Sequence, residues 1–540
     1  MHSCAVQGRT NAAGAGCAGA ARARPDAGSG ATTRMKVTTA AFKRKAHVNL
    51  HDPKLQHALA RLQERFVGAR ATAIGDIDNF PELRAAATEI RRHTLENLHA
   101  YLTHFEQRVT ASGGEVHWAQ DAAEVNRLLL DIARRHQVRK VAKSKSMVTE
   151  ECAVNEALAR AGIEVIETDL GEYILQLADE PPSHIVAPVV HKNKEEIADL
   201  FAQHHRRPRQ TGIAELCREA REVLRPHFLS ADMGLSGANF LIAETGSALI
   251  VTNEGNGRLV STLPRVHVVV TGIEKVVPTL EDVSVLLRLL PRSATGQAIT
   301  NYVSVLTGPR RGGDAHGGAS PGPRGMRAWP AGDAHGGASP GPHGSASGAR
   351  GDTDGPEHFH VILVDNGRSR LLGTELEPML ACIRCGACMN HCPVYQNIGG
   401  HAYGWVYPGP MGSVLTPNFV GLGEARDLPN ASTFCGACAE VCPVGIPLPG
   451  LLRSLRVRQV EQGLRPWSER VTLRLWSWLA QRPARYALAT RIGARVLRAL
   501  ANQRGVITWL PPGPGWTGGR DFPAPEGRTF RELYKRRTGQ

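Results

Sequence analysis

Seven of the chain's eleven cysteines fall within the 61 positions from Cys382 to Cys442. The first four are spaced Cys382-x-x-Cys385-x-x-Cys388-x-x-x-Cys392 and end in Pro393. Three thiolates at three-residue intervals wrap one iron–sulfur cubane corner by corner. The fourth, followed by proline, points onward to a second cluster. Downstream, Cys435-x-x-Cys438-x-x-x-Cys442-Pro443 repeats the run without its first member, and Ser432 aligns with the missing position. The partition follows. Cys382, Cys385, Cys388 and Cys442 make a complete four-thiolate site, and Cys392, Cys435 and Cys438 make a three-thiolate site. Two [4Fe–4S] clusters are expected. The second is either closed by a serine, a water or a ligand from a partner, or is a [3Fe–4S] cluster.

Structural zinc closes with four ligands, usually two Cys-x-x-Cys pairs, and a triple series ending in Cys-Pro does not fit that pattern. A disulfide framework is excluded by the chain length and the tight, repeated spacings. Cys4, Cys17, Cys152 and Cys217 stand alone and read as tail or core residues. The 42 residues between the two runs exceed what a compact bacterial ferredoxin places there, and helical sequence follows. That arrangement reads as an α-helical ferredoxin domain, of the kind that relays electrons between partners.

The elements that must position these thiols come from both sides of an abrupt change in composition. Residues 53–110 read as helices, with Leu55, Leu59 and Leu62 on one face and a second helix from Pro81. From residue 115, short strands alternate with helices: Val138 to Ala142, Ile163 to Ile166 and His184 to Pro188 are the candidate strands. Such alternation indicates an α/β domain with a largely parallel sheet. Ser247 to Thr252 and Val266 to Thr271 flank a turn-rich stretch and read as an antiparallel hairpin. The sequence GDAHGGASPGP then appears at Gly313 and again at Gly332, within a Gly/Pro/Ser-rich linker over 309–356. His358 to Val364 reads as a strand leading into the cysteine cluster. The expected organisation is a tail (1–41), an α/β domain (42–308), the linker, a cluster domain (357–450) and a basic helical region (451–540).

In the α/β domain, Lys143-Ser144-Lys145-Ser146 lies between a strand and a helix that Thr149 is expected to cap. Two lysines and two hydroxyls there suit a carboxylate or phosphate. Glu244-Thr245-Gly246-Ser247 reads as a tight strand entry, and Gly255-x-Gly257 as a turn without the strand–helix setting of a dinucleotide site. No Walker loop or zinc-protease motif is present, so nucleotide and flavin chemistry gain no support.

The formal net charge is +14, and residues 451–540 carry 18 lysines and arginines against 5 acidic residues. That patch suits an acidic partner or an anionic membrane surface, whereas no nucleic-acid motif accompanies it. No apolar run of about 18 residues is long enough to span a bilayer. The first 34 residues lack the apolar stretch of a secretory signal. A cytoplasmic protein, at most peripheral at the inner membrane face, is expected.

Several stretches together resemble a known family, lactate utilisation protein B. They are Lys143 to Glu151, Glu167 to Tyr173, Gly237 to Ser247, Thr252 to Arg258, Cys382 to Cys388, His401 to Gly404 and Tyr407 to Pro410. The resemblance implies that the first domain has the LUD fold, related to sugar isomerases and CoA transferases. It implies the same cross-shared cysteine partition. It also implies an electron-transfer subunit of an L-lactate oxidoreductase complex, working with a cysteine-rich partner and a second LUD-type protein as L-lactate becomes pyruvate. Two alternatives remain: a relay for another 2-hydroxy acid or a thiol–disulfide substrate, and a ligand-sensing scaffold whose clusters are structural.

Overall fold

The computed structural model describes residues 37–300, 302–310, 355–510, 517 and 520–539. The N-terminal tail, the duplicated GDAHGGASPGP stretch, Cys4 and Cys17 lie outside them. Ten strands build two sheets: β1 (Glu115–Ala119), β2 (Lys140–Lys143), β3 (Glu164–Glu167), β4 (Met233–Ser236), β5 (Phe240–Ile242), β6 (Ser247–Thr252), β7 (Val266–Gly272), β8 (Val276–Val277), β9 (Tyr302–Leu306) and β10 (His358–Val364). The larger sheet is parallel throughout, in the order β1-β10-β7-β4-β2-β3.

A parallel sheet covered on both faces demands strands that are apolar on both faces. β10, Phe359-His360-Val361-Ile362-Leu363-Val364, meets that demand. Phe359, Val361 and Leu363 pack under the helix Leu98–Ala111, against Leu102, Phe105 and Val109. Ile362 and Val364 face the opposite layer, where the helix Ala122–Arg135 buries Val125, Leu129 and Ile132. Asp121 caps that helix by accepting the Glu124 N–H at 3.0 Å.

Several expectations change here. β10 does not open the cluster domain; it pairs with β1 and β7, so the α/β sheet is completed by sequence from beyond the linker. β6 and β7 form no hairpin. β6 lies in the second sheet, ordered β8-β5-β6-β9, while β7 lies in the first. Between them Gly255, at φ +71°, leads into the helix Asn256–Thr262, so Gly255-x-Gly257 does sit at a strand–helix junction. His184 to Pro188 is not a strand, because the His184 ring accepts the N–H groups of Val186 and Ala187 and folds the segment on itself. The expected strand entry at Ser247 is present. Gly246, at φ +68°, turns β5 into β6, and a Cβ there would meet the Val109 backbone at 2.6 Å.

β2 and β4 are neighbours from which the chain leaves in opposite directions, from β2 outward to β3 and from β4, by way of β5 and β6 in the second sheet, to β7 on its other side. A crevice therefore opens at the carboxyl ends of these strands. Over that end lie the cysteine region and the helices Pro53–Gly75, Phe80–Glu96 and Leu280–Thr295, in one continuous apolar core.

Beyond the second cysteine run come the helices Leu448–Glu461, Trp467–Ala480 and Pro483–Ala499. On the first, Leu452 and Leu455 are buried and Val460 is exposed. Trp467, Trp476 and Trp478 are exposed on the second. No helix among the described residues is long and apolar enough to cross a membrane.

Candidate iron–sulfur centres and an adjoining cavity

Cys382 follows the 3-10 turn Glu377–Ala381, and Cys388 rides on the short helix Ala387–Asn390. Between them Arg384 (φ +61°) and Gly386 (φ +80°) hold left-handed conformations that curl the loop around its own thiols. Cys382, Cys385, Cys388 and Cys442 line one small cavity with Ile383, Gly386, Met411 and Pro443. The Arg384 N–H reaches the Cys382 Sγ at 3.4 Å, and the Ile446 N–H reaches the Cys442 Sγ at 3.4 Å.

The second run repeats this loop. Phe434 (φ +57°) and Gly436 (φ +88°) precede the helix Ala437–Glu440. The Phe434 N–H donates to the Ser432 Oγ at 3.1 Å, as the Arg384 N–H does to Cys382. Ser432 thus stands where Cys382 stands. Cys392 and Cys435 lie close enough to Cys438 for their charges to bear on its thiol. The Thr433 hydroxyl also reaches Cys435. The remaining cysteines are apart: Cys152 is buried in the sheet core and Cys217, against the expectation of a core position, is exposed.

The donor set fits clusters of iron and sulfide. Burial, followed by the nearby Cys442, pushes the Cys385 thiol up to about 12, and burial raises Cys388 further. Burial raises Cys442 as well, so these three thiols stay protonated on their own and binding a metal cluster must drive their protons off. Burial also raises Cys438, to about 11. Cys435 differs: it is exposed, and the Ala437 N–H and then the Thr433 hydroxyl lower its thiol.

A buried ionic network ties the first loop to the sheet. Arg368 donates to both oxygens of Glu151 at 2.9 Å and pairs with Glu274 at 2.8 Å, while Arg384 reaches Glu274 at 3.3 Å. The Tyr407 hydroxyl donates to Glu151 at 2.6 Å, and the Arg384 guanidinium lies 4.8 Å from the centre of the Tyr407 ring. Burial opposes the charge on Glu274, but Arg368 and then Arg384 outweigh it and hold the carboxyl at about 2. The N-terminal helices add further cations: Arg70 donates to the Val441 carbonyl at 2.9 Å and Arg84 to that of Cys442 at 2.8 Å. Arg91 donates to four carbonyls, among them Ala381 and Val276. Sequence reasoning missed this network; only Glu151, Arg384 and Tyr407 fell within stretches singled out there.

The Lys143-Ser144-Lys145-Ser146 junction is resolved into two different lysines. Lys143 is fully buried and its ammonium contacts Glu150 and Glu167, each at 2.6 Å, so it has no charge to offer a ligand. Ser146, not Thr149, caps the following helix, because Thr149 lies inside it with its N–H pointing back to the Ser146 hydroxyl. Lys145 instead lines a cavity of about 290 Å³ at the carboxyl ends of β2, β4 and β7. Thr271, Lys275, Arg384, Tyr407 and the cluster-loop residue Cys385 share its wall.

Comparison with known proteins agrees with this architecture. Residues 102–324 match the LUD domain, 378–446 the 4Fe-4S dicluster domain, and 454–539 the C-terminal region of lactate utilisation protein B. The fold and the cysteine region together define an LUD protein with an iron–sulfur domain. The lactate utilization protein B of Anoxybacillus flavithermus is 43% identical over 505 residues, 93% of this chain and 99% of that one. The proteins of the same name from Geobacillus sp. WCH70 and Bacillus velezensis are 43% and 42% identical over 93% and 94% of this chain, and 98% and 99% of their own. The chain belongs to the lactate utilization protein B family. A DUF162 family protein from Deinococcus radiodurans aligns at 13% identity and a TM-score of 0.25, over 49% of this chain and 98% of that one, a likeness too slight to carry a conclusion.

Proposed function

We propose that this chain is the iron–sulfur electron-transfer subunit in the oxidation of L-lactate to pyruvate, allowing lactate to serve as a carbon source. Cys382, Cys385, Cys388 and Cys442 hold the first cluster, and Cys392, Cys435 and Cys438 hold the second. The gathering of four cysteines, two of them buried and two half-buried, around one cavity carries this reading. The names of relatives that align over nearly the whole chain supply the substrate.

Once bound, each cluster supplies a one-electron carrier. L-Lactate gives up two electrons and two protons in becoming pyruvate, so a pair of such carriers matches the electron count. The chain's own residues cover the first thiol set more closely than the second and aim the Arg384 and Ile446 N–H groups at its sulfurs. They leave the second set open at Cys435. That opening suits exchange with the cysteine-rich and LUD-type partners of a cytoplasmic complex.

The assay is dye reduction by the chain co-purified anaerobically with its partners. L-Lactate is expected to drive it, D-lactate and glycolate are not, and Cys388→Ser is expected to abolish it. Equal rates with glycolate or with a dithiol would transfer the relay to another substrate.

A further inference from the structure

We propose that the cavity at the carboxyl ends of β2, β4 and β7 is a binding site for a small hydroxy- or keto-carboxylate, held by the Lys145 and Lys275 ammonium groups and the Thr271 hydroxyl beside Cys385. The proposal deepens the lactate reading and rests on it only for the choice of acid.

Three observations carry the inference. The first is position: the cavity occupies the crevice where the connections from β2 and β4 part, the place open α/β sheets offer a ligand. The second is unspent hydrogen-bonding capacity. Thr271 is 1% exposed and its hydroxyl has no hydrogen-bond partner among the described residues. The Lys145 ammonium is buried and ion-paired with Glu172 at 3.3 Å, but makes no hydrogen bond among the described residues. Lys275 is 6% exposed, and among the described residues its ammonium donates only to the Cys382 carbonyl at 3.4 Å. Buried donors left in this state are anomalous unless something else completes them.

The third observation is charge. The two acids on the wall are already engaged at the start of the helix Leu170–Ala178: Asp169 accepts the Gly171 and Glu172 N–H groups, and Glu254 accepts that of Leu170. A second, larger cavity of about 940 Å³ is lined by Glu150, Glu167, Glu172 and Glu180, which would repel an anion. A volume of about 290 Å³ suits a ligand of a few carbon atoms. A carboxylate here would lie against a cluster ligand, and its negative charge would make that cluster harder to reduce.

The test is calorimetric titration of the full chain, isolated anaerobically with its iron and sulfide content verified. The probes are L-lactate, pyruvate, the neutral analogue lactamide and inorganic phosphate. L-Lactate or pyruvate is expected to bind at a single site, and lactamide at least about tenfold more weakly. Lys145→Met and Thr271→Val should each weaken the acid without changing iron content, and the acid should lower the midpoint potential of one cluster. The proposal is overturned if neither acid binds, if lactamide or phosphate binds as well, or if both variants bind normally. Binding without cluster reduction by L-lactate in the full complex would sustain the site and sink the electron-donor reading. Reduction without binding to this chain would do the reverse.

Discussion

The two cysteine loops share one backbone design and differ in what surrounds them. In each, a left-handed residue precedes a cysteine, a left-handed glycine follows it, and a short helix carries the next thiol. The first is sunk in the core, where Arg91 from the N-terminal helices donates to the Leu380 and Ala381 carbonyls at its start and Arg384 within it pairs with Glu274. The second exposes Cys435 and Phe434, with Arg456 stacked 4.1 Å from the Phe434 ring centre. Where the first loop has the Cys382 sulfur, the second has the Ser432 hydroxyl, accepting the equivalent N–H. On the proposed reading the same local fold serves two purposes: an insulated centre facing the substrate crevice, and an open one facing a partner.

The strongest way to break this comparison is to remove one thiol from each loop. Cys388→Ser should release about half of the bound iron, abolish lactate-dependent reduction and leave the chain poorly folded. Cys438→Ser should release a similar share while the spectrum of the first centre persists. If Cys388→Ser left the iron content and the first spectrum intact, the assignment of four thiols to one centre would be wrong.

Next in size is the ionic network that belongs to the first loop alone. Arg368→Met strands Glu151 and Glu274 in the interior and should cost about 3–5 kcal/mol, read as a shift in denaturation midpoint. A change under about 1 kcal/mol, the range of an exposed pair, would show that water reaches the network.

Acid should also strike the buried region. Burial holds His184 down to about 4 and His267 down to about 3, from an ordinary value of 6.5. Below pH 6.5 the unfolded chain takes up protons that these rings refuse in the folded state, so stability falls as the pH drops from 6.5 toward 4. Each unit of such a shift is worth about 1.4 kcal/mol at most. Glu274 adds to the loss lower down, between its ordinary 4.5 and about 2. His184 bonds Asn390, on the first loop's helix, at 2.8 Å. His184→Gln should therefore flatten the slope between pH 6.5 and 4, and an unchanged slope would remove His184 from the account.

The smallest effect sharpens the comparison instead of breaking it. Ser432→Cys should complete the second thiol set, alter its paramagnetic signal and slow its loss in air, with the first centre unaffected. No spectral change would mean that Ser432 does not face the second centre.

The cysteine pattern was legible because cluster ligation is written in local spacing, and the loop geometry that repeats around Arg384 and Phe434 follows that spacing. The alternation after residue 115 likewise announced a parallel sheet. What was not legible depends on distant partners. β10 looked like the start of a new domain because its places beside β1 and β7 are set by pairing across more than two hundred residues for the first and across the linker for the second. The segment from His184 to Pro188 has strand-like residues, but a histidine ring takes the N–H groups that a strand would spend on a neighbour. Lys143 and Lys145 are chemically identical in sequence. Only the fold brings Glu150 and Glu167 to the first and leaves the second on a cavity wall.

The central claim is that L-lactate electrons enter this chain's clusters. Electron paramagnetic resonance on the anaerobic complex, before and after L-lactate, tests it most directly. Reduced-cluster signals that appear with L-lactate and not with D-lactate are the predicted result. Clusters that dithionite reduces but L-lactate leaves oxidised would contradict it.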